Sequence, residues 1–125
     1  MGNKNIKIQE FFDLGLQNFK KNNFKDAESF FKEVLNIEPN HLESIFLLGI
    51  LCAKNNNIKE AKKLFERVVQ IDSNNIEAHY NLALAYYKLG EFNNSINCYE
   101  KVIQIDSKHI DAYHNLGALL SELGD

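Results

Sequence analysis

The side chains of this 125-residue chain that could do acid–base, nucleophilic or metal chemistry are His41, His79, His109 and His114, with the thiols Cys52 and Cys98. None sits at a spacing that such chemistry requires. The thiols are 46 residues apart and belong to no paired ligand motif. No histidine pair has a metal-site spacing or couples a base to a nucleophile. There is no glycine-rich phosphate loop, no HExxH, no GxSxG and no CxxC. These absences predict a noncatalytic protein with no metal and no cofactor, and two unpaired, buried thiols.

Composition narrows the partner classes. At 45% hydrophobic and 25% charged, with one Pro, the chain reads as a packed globular protein. Its net charge is −3 and its only arginine is Arg67, so the basic footprint that counters a phosphate backbone is missing and no nucleic-acid partner is expected. The longest apolar run, Ile45 to Ala53, falls far short of the roughly 20 residues that span a bilayer, so no membrane insertion is expected. The amino terminus lacks a signal-like stretch, and Ile6 stands where a myristoylation motif wants Ser or Thr. A soluble, reduced, cytoplasmic setting is the expectation.

The elements that position the remaining candidates come from an internal repeat. FFKEVLNIEPNH from Phe30, LFERVVQIDSNN from Leu64 and CYEKVIQIDSKH from Cys98 each begin 34 residues after the last. A second series keeps the same register: FFDLGLQNF from Phe11, IFLLGILCA from Ile45, HYNLALAYY from His79 and YHNLGALLS from Tyr113. Counted from Ile8, the repeats cover 8–41, 42–75 and 76–109 after a lead-in of 1–7, and 110–125 supply the first helix of a fourth. Within each repeat a helical apolar pattern meets a turn pair: Asn22-Asn23, Asn56-Asn57, Gly90-Glu91 or Gly124-Asp125. Asn and Gly tolerate the left-handed conformation that ends a helix. A second apolar-periodic stretch follows, so each unit is a helical hairpin. One hairpin cannot bury its own apolar faces, and stacked hairpins must share an elongated core, an all-α solenoid.

These residues resemble the tetratricopeptide-repeat family. Position 7 of the repeat reads Leu14, Leu48, Leu82 and Leu116; position 8 reads Gly15, Gly49, Ala83 and Gly117. Position 20 reads Ala27, Ala61 and Ser95, and position 24 reads Phe31, Phe65 and Tyr99. Pro39 keeps the proline of position 32, which Ser73 and Ser107 replace later. The resemblance covers 8–125 and implies a right-handed superhelix of antiparallel helix pairs that binds peptides or partner helices on its concave wall.

At about 100° per residue, positions 4, 7, 8 and 11 of the first helix share one arc, expected to face the second helix. His79, at position 4, is then expected in the core. Positions 2, 5, 6, 9, 12 and 13 share the opposite arc, which the resemblance makes the concave wall. That arc carries Phe12, Phe46, Tyr80 and His114 at position 5; Leu16, Ile50, Leu84 and Ala118 at 9; Phe19, Ala53, Tyr87 and Ser121 at 12. Helices apolar on both faces need a second covering, so an apolar or amphipathic protein segment is the expected partner. The competing account is that these side chains only pack neighbouring first helices together.

Glu43, Glu77 and Asp111 at position 2, and Lys20, Lys54 and Lys88 at position 13, make a candidate charged rim. Complementing the helix dipole explains the same pattern. Asn81 and Asn115 occupy position 6, where asparagines grip an extended peptide in the repeat region of protein O-linked glycosyltransferases; Asp13 and Leu47 break that ladder. The slots that clamp acidic chaperone tails in another subgroup hold Phe12, Leu16, Leu47, Glu77 and Asn81 here, so such tails are not expected to bind.

The leading expectation is thus a scaffold or adaptor for protein interaction. The alternatives are the substrate-presenting arm of a larger glycosyltransferase-like enzyme, or a self-assembling scaffold. Leu116, Leu120 and Leu123 lie on the face covered by a second helix in earlier repeats, which reads as a piece of a longer array or as self-association through an open carboxyl-terminal end.

Overall fold

The computed structural model describes residues 2–124, and every described element is an α-helix. In chain order these are α1 (Gly2–Lys20), α2 (Phe24–Ile37), α3 (Leu42–Lys54), α4 (Ile58–Ile71), α5 (Ile76–Lys88), α6 (Phe92–Ile105) and α7 (Ile110–Glu122). The second helices begin at Phe24, Ile58 and Phe92, in strict register with the 34-residue repeat.

The turn inside each hairpin is made by a residue that accepts positive φ: Asn22 at 64°, Asn56 at 61° and Gly90 at 77°. The next residue's N–H then reaches back to the carbonyl five residues earlier, as in Asn23 to Asn18 at 2.8 Å, Asn57 to Cys52 at 2.8 Å and Glu91 to Tyr86 at 2.9 Å. This bond closes the last turn and redirects the chain. Between hairpins, the carboxylates of Glu38, Asp72 and Asp106 accept the N–H of Asn40 at 3.2 Å, Asn74 at 3.3 Å and Lys108 at 3.0 Å. The next helix is capped by a side chain in three cases. His41 Nδ1 accepts from Ser44 N–H at 3.3 Å, Asn75 Oδ1 from Ala78 at 2.9 Å and His109 Nδ1 from Ala112 at 3.1 Å. Each satisfies an N–H that the helix itself leaves without a partner. An imidazole serves only because its accepting nitrogen carries no proton.

The core runs along the stack. Ala27, Phe31 and Val34 of α2, Ala61, Phe65 and Val68 of α4, and Ser95, Tyr99 and Val102 of α6 are buried at equivalent positions. Gly15 and Gly49 lie beneath the rings of Phe31 and Phe65, so close that an added Cβ would stand 2.5 and 2.6 Å from ring carbons. In the third hairpin, the buried Ser95 hydroxyl donates to the Ala83 carbonyl at 2.7 Å.

Three expectations need correction. Residues 2–7 are not a separate lead-in but the first turns of α1. The buried arc of the first helices is broader than positions 4, 7, 8 and 11. Ser44, Ala78 and Ala112 at position 3, and Leu51, Ala85 and Leu119 at position 10, are buried. The reason is that α3, α5 and α7 each pack against the preceding hairpin's second helix as well as their own neighbourhood. Conversely, Leu14 and Tyr113 are exposed at 38% and 49%, and His79 is half-buried with Nε2 2.8 Å from the Ser73 carbonyl.

Candidate protein-binding groove

The first helices α1, α3, α5 and α7 stand side by side, and their remaining arc forms one wall. Its aromatic ladder is partly used by the fold. Phe12, Phe46 and Tyr80 lie with ring centroids 5.8, 5.6 and 6.0 Å from Phe31, Phe65 and Tyr99 of their own hairpins. Phe12 and Tyr80 also meet the capping imidazoles of His41 and His109, at 5.0 and 5.2 Å. The rings are half-buried, which corrects the expectation that this arc is free of the hairpin. Phe19 packs on Phe24 at 5.7 Å and Tyr87 on Phe92 at 5.7 Å, while Tyr87 stays 38% exposed and His114 is exposed.

Three depressions mark the wall. One of about 320 Å³ is lined by Phe12, Leu16, Phe46 and Leu47 with the carboxylates of Glu43 and Glu77. One of about 270 Å³ is lined by Ala53, Phe65, Asn81, Leu84 and Lys88. The third, of about 220 Å³, lies between α5 and α7, against Leu84, Tyr87, Asn115, Ala118, Leu119 and Glu122. Ile50, the remaining member of the aliphatic ladder, is half-buried and packs into the core.

Polar side chains bind the wall to itself. Tyr87 Oη donates to Glu122 Oε1 at 2.9 Å, and this bond raises the Tyr87 phenol above its ordinary range. Asn115 Nδ2 donates to Tyr80 Oη at 2.9 Å, and Asn81 Nδ2 to the Glu77 carbonyl in its own helix at 2.8 Å. Both asparagines of the partial ladder therefore have an amide hydrogen engaged internally.

The rim divides in the same way. Lys20, Lys54, Lys88 and Asp111 are all exposed, and of the three lysines Lys54 makes a cation–π contact between hairpins, its Nζ 5.3 Å from the Phe24 ring centroid. Sequence reasoning missed Glu122. Position 13 held lysine in the earlier repeats, and only the side-by-side placement of α5 and α7 brings Glu122 to Tyr87. No group of His, Cys, Asp or Glu among the described residues could hold a metal. No described helix is long and apolar enough to cross a membrane.

A family model described as anaphase-promoting complex, cyclosome, subunit 3 matches residues 20–102, and one described as TPR repeat matches residues 85–124. The chain belongs to the tetratricopeptide-repeat family. Among curated proteins nothing matches it.

Solved structures share the fold. MamA superposes with a TM-score of 0.89 at 26% identity, over 99% of this chain and 66% of its own. This chain thus spans about two thirds of that protein's length. The first TPR of Spaghetti (RPAP3), bound to the HSP90 peptide SRMEEVD, superposes at 0.88 with 14% identity, over 95% of this chain and 94% of its own. The Thermobaculum terrenum O-GlcNAc transferase superposes at 0.82 with 22% identity, over 94% of this chain and 22% of its own.

Proposed function

We propose that the chain is a noncatalytic scaffold that holds a segment of a partner protein along the wall of α1, α3, α5 and α7. The observation that supports this reading is the row of three mainly apolar depressions, which exposes aromatic and aliphatic side chains at spaced points along the first helices. A preformed groove of this kind suits an extended or helical segment with spaced apolar anchors. The free thiols Cys52 and Cys98 suit a reducing compartment such as the cytoplasm.

The arm of a larger glycosyltransferase-like enzyme is the alternative. Against it stand the broken asparagine ladder and the internal engagement of Asn81 and Asn115. Acidic chaperone tails remain outside the proposed partners, because Glu77 and three apolar residues fill slots that would need cations or amides.

The test is site-specific photocrosslinking in native lysate. Benzoylphenylalanine at Leu47 or Ala118, on the wall, should give adducts that the same probe at Lys63 or Glu100, on second helices, does not. Adducts of equal yield from the second helices would refute a groove-centred function.

A further inference from the structure

The two outer depressions of the wall share a chemical character that the apolar strip alone does not explain. Around the one between α1 and α3, every charged side chain is a carboxylate, Glu43 or Glu77, and the walls are Phe12, Leu16, Phe46 and Leu47. Around the one between α5 and α7, the only charged side chain among the described residues is Glu122, beside the rings of Tyr87 and Tyr99 and the methyl of Ala118. Among the described residues no Lys, Arg or His lines either. Neither Glu43, Glu77 nor Glu122 enters an ion pair among the described residues. The donors at the α5–α7 site are already committed, Tyr87 Oη to Glu122 and Asn115 Nδ2 to Tyr80, and the Glu122 carboxylate keeps acceptor capacity for a further donor. In the depression between them, the charge is reversed to Lys88.

An apolar-walled slot that ends in a carboxylate complements a long side chain with an aliphatic stem and a cationic head. The stem packs on Leu and Ala surface, the head reaches the carboxylate, and aromatic faces attract the same charge. An anionic side chain would be repelled by these carboxylates, and a purely aliphatic one would leave their charge unpaired.

We infer that the partner segment is basic at two separated points, placing one lysine or arginine at Glu43 and Glu77 and another at Glu122, with no cation opposite Lys88. This inference rests on the wall reading above and specifies its partner chemistry.

The experiment is selection of a phage-displayed random dodecapeptide library on the full chain, followed by fluorescence anisotropy of the recovered peptides. Enrichment in Lys and Arg is expected, with affinity reduced about tenfold by Glu122→Gln or Glu77→Gln. Glu100→Gln, an equal loss of charge on α6, should leave affinity unchanged, which separates a site from the general attraction of an acidic protein. Recovered peptides without cations, or equal weakening by all three variants, would overturn the inference. If such peptides still crosslinked to benzoylphenylalanine at Ala118 or Leu47, the wall reading would survive that result. Peptides that crosslink at neither position, or no recovered peptide at all, would overturn both.

Discussion

Gly49 lies against the face of Phe65 so closely that a Cβ on it would stand 2.6 Å from Cε1 of the ring. Phe65 is 1% exposed and has no room to retreat. Gly117, at the equivalent position of α7, has nothing within 4 Å of where its Cβ would be. The same substitution therefore acts oppositely at the two sites. Gly49→Ala should destabilise the fold by about 1–3 kcal/mol through overpacking. Gly117→Ala should stabilise it by about 0.5–1 kcal/mol through helix propensity. Urea unfolding followed by circular dichroism reads both, and a shared sign would contradict this packing.

The side-chain caps separate helix entry from core packing. Asn75→Ala and His109→Ala should each cost about 1 kcal/mol, since an N–H of the first turn loses its acceptor. His109→Asn should recover most of that loss. Full recovery is not expected, because the imidazole also packs 5.2 Å from the Tyr80 ring. Urea midpoints of the three variants give the comparison.

At the hairpin turns, Gly90 holds φ at 77°. Gly90→Ala should cost about 1–2 kcal/mol, the penalty of a Cβ in the left-handed region. Gly90→Asn should cost less, because Asn22 and Asn56 already hold φ of 64° and 61° in the same slot. Equal losses for Ala and Asn would show that side-chain type does not decide this turn.

Burial in the α5–α6 hairpin predicts alkaline sensitivity. Desolvation, with Glu66 nearby, pushes the Cys98 thiol from 9.0 up to about 11, and desolvation likewise pushes the Tyr99 phenol from 10.0 up to about 12. The folded state holds these protons where the unfolded chain has released them, so stability is intact below about pH 9 and falls as pH rises toward 11 and 12. Urea midpoints across pH 7 to 11 should show the decline, and Cys98→Ala should flatten its first part. On the native protein, Cys98 should also react with iodoacetamide far more slowly than in urea.

A tyrosine link between hairpins supplies a further check. Tyr86 Oη donates to Glu66 at 2.8 Å, while Lys62 lies 5.8 Å from the same ring and 3.5 Å from Glu91. Tyr86→Phe should lower stability by about 1 kcal/mol, because a partly buried charged acceptor loses its donor. Glu66→Gln should restore part of the loss in the Tyr86→Phe background. Additive losses in that double-mutant cycle would mean the pair is not coupled.

Most of the solenoid was legible in the chain itself. A 34-residue period, small residues at Gly15 and Ala27 and rings at Phe31 and Phe65 dictate hairpins that close tightly. Asn22, Asn56 and Gly90 dictate where they turn, because backbone conformation at those residues is a local property. The single-helix projection misplaced residues wherever a second neighbour mattered. Leu14 carries the family's leucine yet is exposed, and Ser44 and Ala112 drew no notice yet are fully buried.

The wall followed the same division. Sequence alone determined which residues share an arc, since that depends only on the pitch of one helix. Tertiary structure decided how each is used: Phe46 leans on Phe65, Lys54 caps the Phe24 ring, and Glu122 meets Tyr87 across 35 residues of chain. Exposure, charge pairing and pocket shape arise from helices that are distant in sequence and adjacent in space, and no periodicity within one helix encodes how its neighbour's side chains fill the space between them.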